Sequence, residues 1–418
     1  MNTEIINIGD ELLIGQVINT NCAYMAKILN QNGITVKYIT VINDDSTAIK
    51  NAVTLALQRT DCVLITGGLG PTKDDITKHC LNEMFNGKLI ENKEVSTHVK
   101  SFFERRNLPY TDTNRSQSFI PDCCQIIFNP VGTAPGMIFN SNGKLVISMP
   151  GVPFEMERMM DSVIPILLKH YETETIIHKS VLVSGIGESF LSDKLEEFEL
   201  NIKNINNKDK SSRFSLAYLP NAGVIKLRLS MKCSKRESAL EKFQIQYSAL
   251  KTAVGDFLIG EDDKSFAQII GEKLQSKNQT LITVESCTGG NIAHSITLNP
   301  GASVYFKGGI VAYCNEIKNK TVRVEEDTLS IKGAVSEETA RQMAENAVKL
   351  YNTDFAISTT GLAGPDSDGT DTEIGTVYIG LAKRNGETIV EKSCFKTSRS
   401  NFIDRVTNAA LFLLWKNI

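Results

Sequence analysis

Between residues 4 and 68 the chain reads strand, helix, strand, helix, strand, and that order leaves few folds open. EIINIG (4–9) is a short apolar run. TNCAYMAKILNQNG (20–33) carries apolar residues at helical spacing and ends at Gly33, a good helix C-terminus. TVKYITVI (35–42) is a second strand and STAIKNAVTLALQR (46–59) a second helix. DCVLITGG (61–68) is a buried strand running into glycines. Strands joined by helices pair in parallel, so the expectation is an α/β domain with a parallel sheet and helices on both faces. LVISMPGVP (145–153) adds a strand that ends in a Pro/Gly turn, and the domain is placed at 1–170.

The pattern changes after that. IIHKSVLVSGIG (176–187), GESFLSDKLEEF (187–198), RFSLAYLPNAG (213–223) and VIKLRLSMKC (224–233) read strand, helix, strand, strand. A helix over 234–254 follows, and the polar stretch NIKNINNKDKSS (201–212) reads as a loop. The expectation for 175–258 is a small α+β module with no catalytic signature, a spacer or a dimer-forming element. A third unit, 262–418, is again α/β. It holds helices over 264–278, 336–352 and 402–417, a strand into a Gly-rich loop over 354–365, and a hairpin over 376–395 turning at Asn385-Gly386.

Bulk properties narrow the function classes. A net charge of −3 gives no electrostatic case for a nucleic-acid partner, and no GXXG loop in a basic, aromatic context is present. No apolar run approaches the ~20 residues that cross a bilayer. The N-terminus MNTEIINIGDELLIG is not a signal peptide. Nine cysteines without C-x-x-C spacing point to free, mostly buried thiols in a reducing cytoplasm. The five histidines sit in no catalytic pattern, and His294 is expected to pack or face solvent. A serine–histidine–acid triad is therefore not expected.

Two stretches carry chemistry. In TGGLGPTKDDITK (66–78), Gly67, Gly68 and Gly70 let the backbone approach a ligand closely, and exposed N–H groups in such a loop suit phosphate. Asp74 and Asp75 follow, Asp10 and Glu11 follow the first strand, and Asp44 and Asp45 follow the second. All lie at carboxyl ends of proposed parallel strands, where open α/β sheets bind ligands. Carboxylates beside a phosphate loop point to a divalent cation. The plainer alternative is that Asp44/Asp45 and Asp74/Asp75 merely cap helices. The second stretch is ESCTGG (285–290), which follows the apolar run LITV and turns toward a helix. A nucleophile at such a corner lies beside backbone N–H groups able to hold an oxyanion.

GDELLIGQVINTN (9–21), TGGLGPTKDDITK (66–78), NPVGTAPGM (129–137) and MPGVPFEMERM (149–159) resemble the CinA family, whose N-terminal domain is similar to molybdopterin-binding domains. The resemblance implies metal-dependent cleavage of ADP-ribose to AMP and ribose 5-phosphate. It implies Asp44 and Asp75 as metal ligands, Glu11 and Glu155 as further candidates, and a phosphate cradle at 67–72 that includes Thr72. The C-terminal half is similar to the nicotinamide mononucleotide (NMN) deamidase domain of that family. The matching pieces are ESCTGG, YCNEIK (313–318), GAVSEETARQMAE (333–345), TTGLAGP (359–365), IGTVYIGLA (374–382) and FKTSRSNFIDRVTNAAL (395–411). This implies hydrolysis of a carboxamide with no cofactor. Ser286 is the implied nucleophile, with Cys287 as competitor. Lys318 or Tyr313 is the activator, and N–H groups around Thr288 and Gly289 form the oxyanion hole. Arg399 and Arg405 are candidates for the phosphate. The loop with Gly361, Ala363 and Gly364 is a candidate for ribose phosphate or amide. The acidic stretch DSDGTDTEIG (366–375) and Asn346 depart from the family pattern. A homodimer is also implied. The competing expectation is a molybdopterin-type ligand-binding or competence/DNA-damage-associated interaction protein with one or both sites inactive.

Overall fold

The parallel strands expected near the N-terminus form one six-stranded sheet, in the order 35–42, 2–8, 62–66, 144–149, 136–141, 125–127. The first four strands are parallel, and the last two run antiparallel at one edge. The computed structural model describes residues 1–233, 239–262, 264–367 and 369–418. Asp368 of the acidic stretch and the first five residues of the helix expected over 234–254 therefore lie outside the described residues; the helix is described as Ala239–Val254.

Alternation along the strands supplies the two cores. Ile5, Leu64 and Ile147 pack with Met25, Leu29, Met156 and Met160 on one face. Ile6, Ile65 and Val146 pack with Ile49, Val53 and Leu81 on the other. A strand buried on both sides reads as a continuous apolar run, as Cys62–Thr66 does. Its neighbour Asn2–Ile8 buries the carboxylate of Glu4, which accepts from Arg59 Nε at 2.8 Å and Nη2 at 2.6 Å and from the Thr40 hydroxyl at 2.7 Å.

Two compact units make up the chain: Met1–Ile177 with Lys232–Ala239, and His178–Met231 with Leu240–Ile418. The strands of the middle stretch form a four-stranded sheet in the order 212–221, 224–233, 175–184, 258–261. Here one expectation is corrected. The stretch 201–212 is not a loop throughout, because a single helix runs from Glu188 to Lys208. Phe198 and Ile202 stay on its buried face, and Asn206 bonds both the N–H and the carbonyl of Phe214. Apolar spacing and one side chain outweigh the run of asparagines. Within the second unit, Leu182 and Val224 join a core with Phe266, Ile270, Leu281, Phe402 and Leu411.

The C-terminal sheet has the order 306–311, 281–285, 355–361, 376–383, 389–394. Its first three strands are parallel and its last two antiparallel, the hairpin expected over 376–395. The helix Glu337–Tyr351 is capped by the Ser336 side chain. No disulfide links the nine cysteines; Cys62, Cys80, Cys233 and Cys287 are buried while Cys123, Cys314 and Cys394 are exposed, so burial is less general than expected. Among the described residues, no helix is long and apolar enough to cross a membrane.

Candidate functional site

The strand Leu281–Glu285 delivers Ser286 to the carboxyl end of the C-terminal sheet, between parallel neighbours 306–311 and 355–361. The turn that follows uses Gly289 and Gly290 at φ +60° and +97°, a region that residues with a Cβ rarely enter. Ser286 is pinned by backbone: its N–H donates to Thr359 O at 2.9 Å, and its carbonyl accepts from Gly289 N–H at 3.1 Å. Thr288 and Thr359 share a hydroxyl hydrogen bond of 2.8 Å in the interior.

Lys318 comes from the helix Asn315–Val322 and is 2% exposed. Its Nζ lies 3.0 Å from Ser286 Oγ and donates to Tyr313 O at 3.1 Å. No carboxylate pairs with it among the described residues. Burial therefore pushes its pKa below the ordinary lysine value, opposed weakly by the nearby thiols of Cys287 and Cys314. A lysine of this kind takes a proton from a neighbouring hydroxyl when its amine is free. Burial acts oppositely on Cys287, whose thiol is pushed up to about 12 and is a poor source of thiolate. Of the two neighbouring candidates, Ser286 has the amine beside its hydroxyl and Cys287 has a buried, un-ionised thiol. His294 is exposed on its helix, as expected.

Other expected residues sort differently. The Tyr313 hydroxyl does not hydrogen-bond Ser286; it accepts from Arg399 Nη2 at 2.8 Å, while Arg399 Nη1 donates to Gly364 O at 2.8 Å. Arg399 thus brings Tyr313 and the 361–365 loop together. Arg405 is exposed, with no hydrogen bond or ion pair to the site among the described residues. The Gly289 N–H, one of those expected to hold an oxyanion, is occupied by Ser286 O, whereas the amides of Cys287 and Thr288 donate to no other described residue. Gly361 pairs with Val377 at the strand end, where a Cβ would meet Thr376 O. Ala363 belongs to the core. In the acidic stretch, Glu373 pairs with Lys396 on the exposed surface at 2.5 Å. Asn346 donates to Arg323 O at 2.9 Å, a local contact for that departure.

At the N-terminal sheet, four neighbouring parallel strands end side by side. Gly9–Glu11 follow the first, Asp44 the second, Gly67–Asp75 the third, and Pro150–Glu155 the fourth. Gly67 and Gly68 have φ +113° and +64°; a Cβ would strike Ile8 O at the first and the Thr77 hydroxyl at the second. Gly67 N–H donates to Met149 O, while the amides of Gly68, Leu69 and Gly70 have no protein acceptor among the described residues. That leaves three donors for an anion.

The acidic residues divide. Asp45 caps the helix Ser46–Arg59 through Ala48 N–H, as the plainer reading held. Asp44 instead accepts from Asp10 N–H at 3.2 Å. Burial, then the carboxylates of Asp10, Glu11 and Asp74, hold Asp44 above the usual carboxylate range. Asp75 accepts from both the N–H and the hydroxyl of Thr72, and its carboxylate lies against the Cα of Gly70. Glu155 accepts from Asn129 Nδ2 at 2.7 Å, and burial raises its pKa. Among the described residues no three His, Cys, Asp or Glu side chains come together as a metal-binding group. Asp44 and Glu11 share one acidic neighbourhood, whereas Asp75 and Glu155 are each held by local partners.

Sequence pattern alone does not single out Glu285, Thr359, Asn129 and Asn21, which also stand at these sites. Asn21 donates to the Thr66 hydroxyl at 3.0 Å and to Gly151 O at 2.7 Å, and Asn129 also binds Ala134 O. All four fall within or beside the family-like motifs, but their partners are mainly backbone groups.

Residues 263–418 match the CinA C-terminal domain, and residues 4–170 match a probable molybdopterin binding domain. A CinA-like protein of Flavobacterium psychrophilum is 40% identical, over 100% of this chain and 99% of its own length. A putative competence-damage inducible protein of Caldicellulosiruptor saccharolyticus is 38% identical, over 100% and 99%. A solved structure of the protein CinA from Thermoplasma acidophilum covers 39% of this chain and 95% of its own, at 36% identity and a TM-score of 0.36. With full-length relatives at this identity and two domain families matched in order, the chain belongs to the CinA family.

Proposed function

We propose that the C-terminal half hydrolyses NMN to nicotinate mononucleotide and ammonia. The observation that carries this reading is the buried 3.0 Å contact between Lys318 Nζ and Ser286 Oγ. Ser286 Oγ attacks the carboxamide carbon as its proton passes to Lys318. The carbonyl oxygen becomes an oxyanion beside the free amides of Cys287 and Thr288. Collapse expels ammonia, which takes the proton from Lys318 and leaves an ester on Ser286. Water, deprotonated by Lys318, then attacks the ester and restores the serine. Arg399, at the mouth of the 361–365 loop, binds the phosphate by exchanging its bonds to Tyr313 and Gly364 for the ligand. NMN given to the whole chain yields equimolar ammonia and nicotinate mononucleotide, unaffected by EDTA; folded protein that yields neither sinks this reading.

Arginine contacts separate binding from chemistry. Arg399→Ala raises KM for NMN by ~10–100-fold, the loss of about 1.5–3 kcal/mol expected for hydrogen bonds to a charged group. Arg405→Ala stays within about twofold of wild type, since its charge is exposed and has no ion pair among the described residues. Equal effects of the two substitutions would remove Arg399 from its assigned role.

For the N-terminal half we propose cleavage of ADP-ribose to AMP and ribose 5-phosphate, supported by the open amides of Gly68–Gly70 beside the Asp44–Glu11 neighbourhood. The donor set fits a magnesium-like ion, which takes one or two carboxylates and completes its shell with substrate phosphates and water. The crowding of carboxylates around Asp44 is what such an ion relieves. When bound, it neutralises pyrophosphate charge. EDTA abolishes AMP release and Mg2+ restores it, and Asp44→Asn lowers it by ~100-fold or more while ammonia release from NMN is unchanged. AMP release that persists in EDTA contradicts this assignment.

A further inference from the structure

Glu285 directly precedes Ser286 and takes no part in the steps above. Its side chain is buried, at 1% exposure, and no cation pairs with it among the described residues. Its carboxylate instead accepts four hydrogen bonds. Oε2 receives the N–H groups of Gly290 and Ile292, each at 3.0 Å. Oε1 receives the Ala293 N–H at 2.8 Å and the Thr283 hydroxyl at 3.2 Å. Its backbone carbonyl accepts from Ala312 N–H at 2.8 Å, tying the same residue to the segment after the neighbouring strand.

A buried carboxylate without a counter-ion is costly unless donors of this kind surround it. Three of these donors are the amides at the start of the helix Asn291–Thr297, which would otherwise lack partners. The carboxylate thus spans the turn from Glu285 to Ala293 and closes a loop whose Gly289 and Gly290 are in the left-handed region. Ser286 lies inside that loop. With the Gly290, Ile292 and Ala293 amides taken by Glu285, and the Gly289 amide by Ser286 O, the amides of Cys287 and Thr288 stay open.

We infer that Glu285 is the positioning residue of this site: its carboxylate fixes the Ser286–Gly290 turn so that Ser286 Oγ meets Lys318 and the Cys287 and Thr288 amides are left for the oxyanion. The inference rests on Ser286 being the nucleophile proposed above. It acts through Ser286 and touches no substrate.

The test uses the whole chain and two readouts. One is the rate at which a fluorophosphonate probe labels Ser286, which needs no assumption about the substrate. The other is kcat and KM for NMN. Glu285→Gln keeps the shape but turns an acceptor oxygen into an NH2 group facing backbone N–H. Labelling and kcat fall together by ~100-fold, as expected for a nucleophile displaced by about an ångström, while KM stays within about twofold. Labelling and kcat within twofold of wild type in Glu285→Gln overturn the inference, as does a rise in KM at unchanged kcat. If Glu285→Gln does not fold, Thr283→Val decides: it removes one donor to Oε1 at nearly constant shape. Severalfold slower labelling supports the inference, and unchanged labelling overturns it. Wild type that labels at Ser286 but ignores NMN refutes the substrate while leaving the labelling ratio to judge Glu285. Wild type that takes no label at Ser286 overturns both.

Discussion

Ser286→Ala lowers kcat for ammonia release from NMN by ~10⁴–10⁶-fold, whereas Cys287→Ala changes it by less than about fivefold. The contrast follows from environment rather than from intrinsic reactivity. A thiolate is the better nucleophile, but the Cys287 thiol is buried and held near 12, so almost none is ionised at neutral pH. Ser286 needs no prior ionisation, because Lys318 Nζ is in place to take its proton during attack. Loss of the base or of the nucleophile costs nearly the whole chemical step, since the two act as a unit. Parallel steady-state assays on the two variants check this, with unfolding curves to show that both are folded. Comparable loss in both variants would move the nucleophile to the sulfur.

Lys318→Met lowers the same kcat by ~10³-fold or more, and the pH profile identifies why. The free amine is the working form, so activity rises with pH through the lysine's pKa and levels off above it. Burial holds that pKa below the ordinary value, so the rise falls at lower pH than the ~10.4 of an exposed lysine. The same shift links to stability. Between the folded and unfolded pKa values the unfolded chain binds more protons at this position, so stability rises with pH across that window. Below the folded pKa the buried ammonium is a full liability. Lys318→Met, which cannot titrate, removes that part of the pH dependence. Thermal unfolding of both proteins across this range measures it, and identical slopes would mean that Lys318 titrates as an exposed lysine.

Much of this was legible from residue pattern. The strand–helix alternation over 4–68 gave the parallel sheet, and its glycine-rich ends gave the loop at 66–70. The turn at ESCTGG was legible because a strand, two glycines and helical spacing follow one another. The strand Phe306–Val311 was not, because Gly308 and Gly309 break its apolar pattern. Those glycines make sense only in the packed sheet: at Gly309 a Cβ would meet the Cβ of Ala293 at 2.7 Å and the Thr283 hydroxyl at 2.8 Å. The hydrogen bonds at the candidate metal ligands were hidden for a related reason. Residue type and strand position placed Asp75 and Glu155 at the right edge of the sheet. They could not show that Thr72 and Asn129 already bind those carboxylates. Arg399 and Arg405 look alike in the sequence, which could not show that Arg399 bonds Tyr313 and Gly364, residues far apart in the chain. Glu285 carries no such signal, because its partners are mostly backbone amides, which leave no trace in a sequence.

The covalent step at Ser286 is tested most directly by turning NMN over with hydroxylamine present. An ester on Ser286 partitions between water and the stronger nucleophile. Wild type is predicted to release ammonia and to form the hydroxamate of nicotinate mononucleotide in increasing proportion as hydroxylamine rises, with none from Ser286→Ala. Ammonia release with no hydroxamate at any hydroxylamine concentration, or hydroxamate formed equally by Ser286→Ala, would contradict attack by Ser286 on the carboxamide.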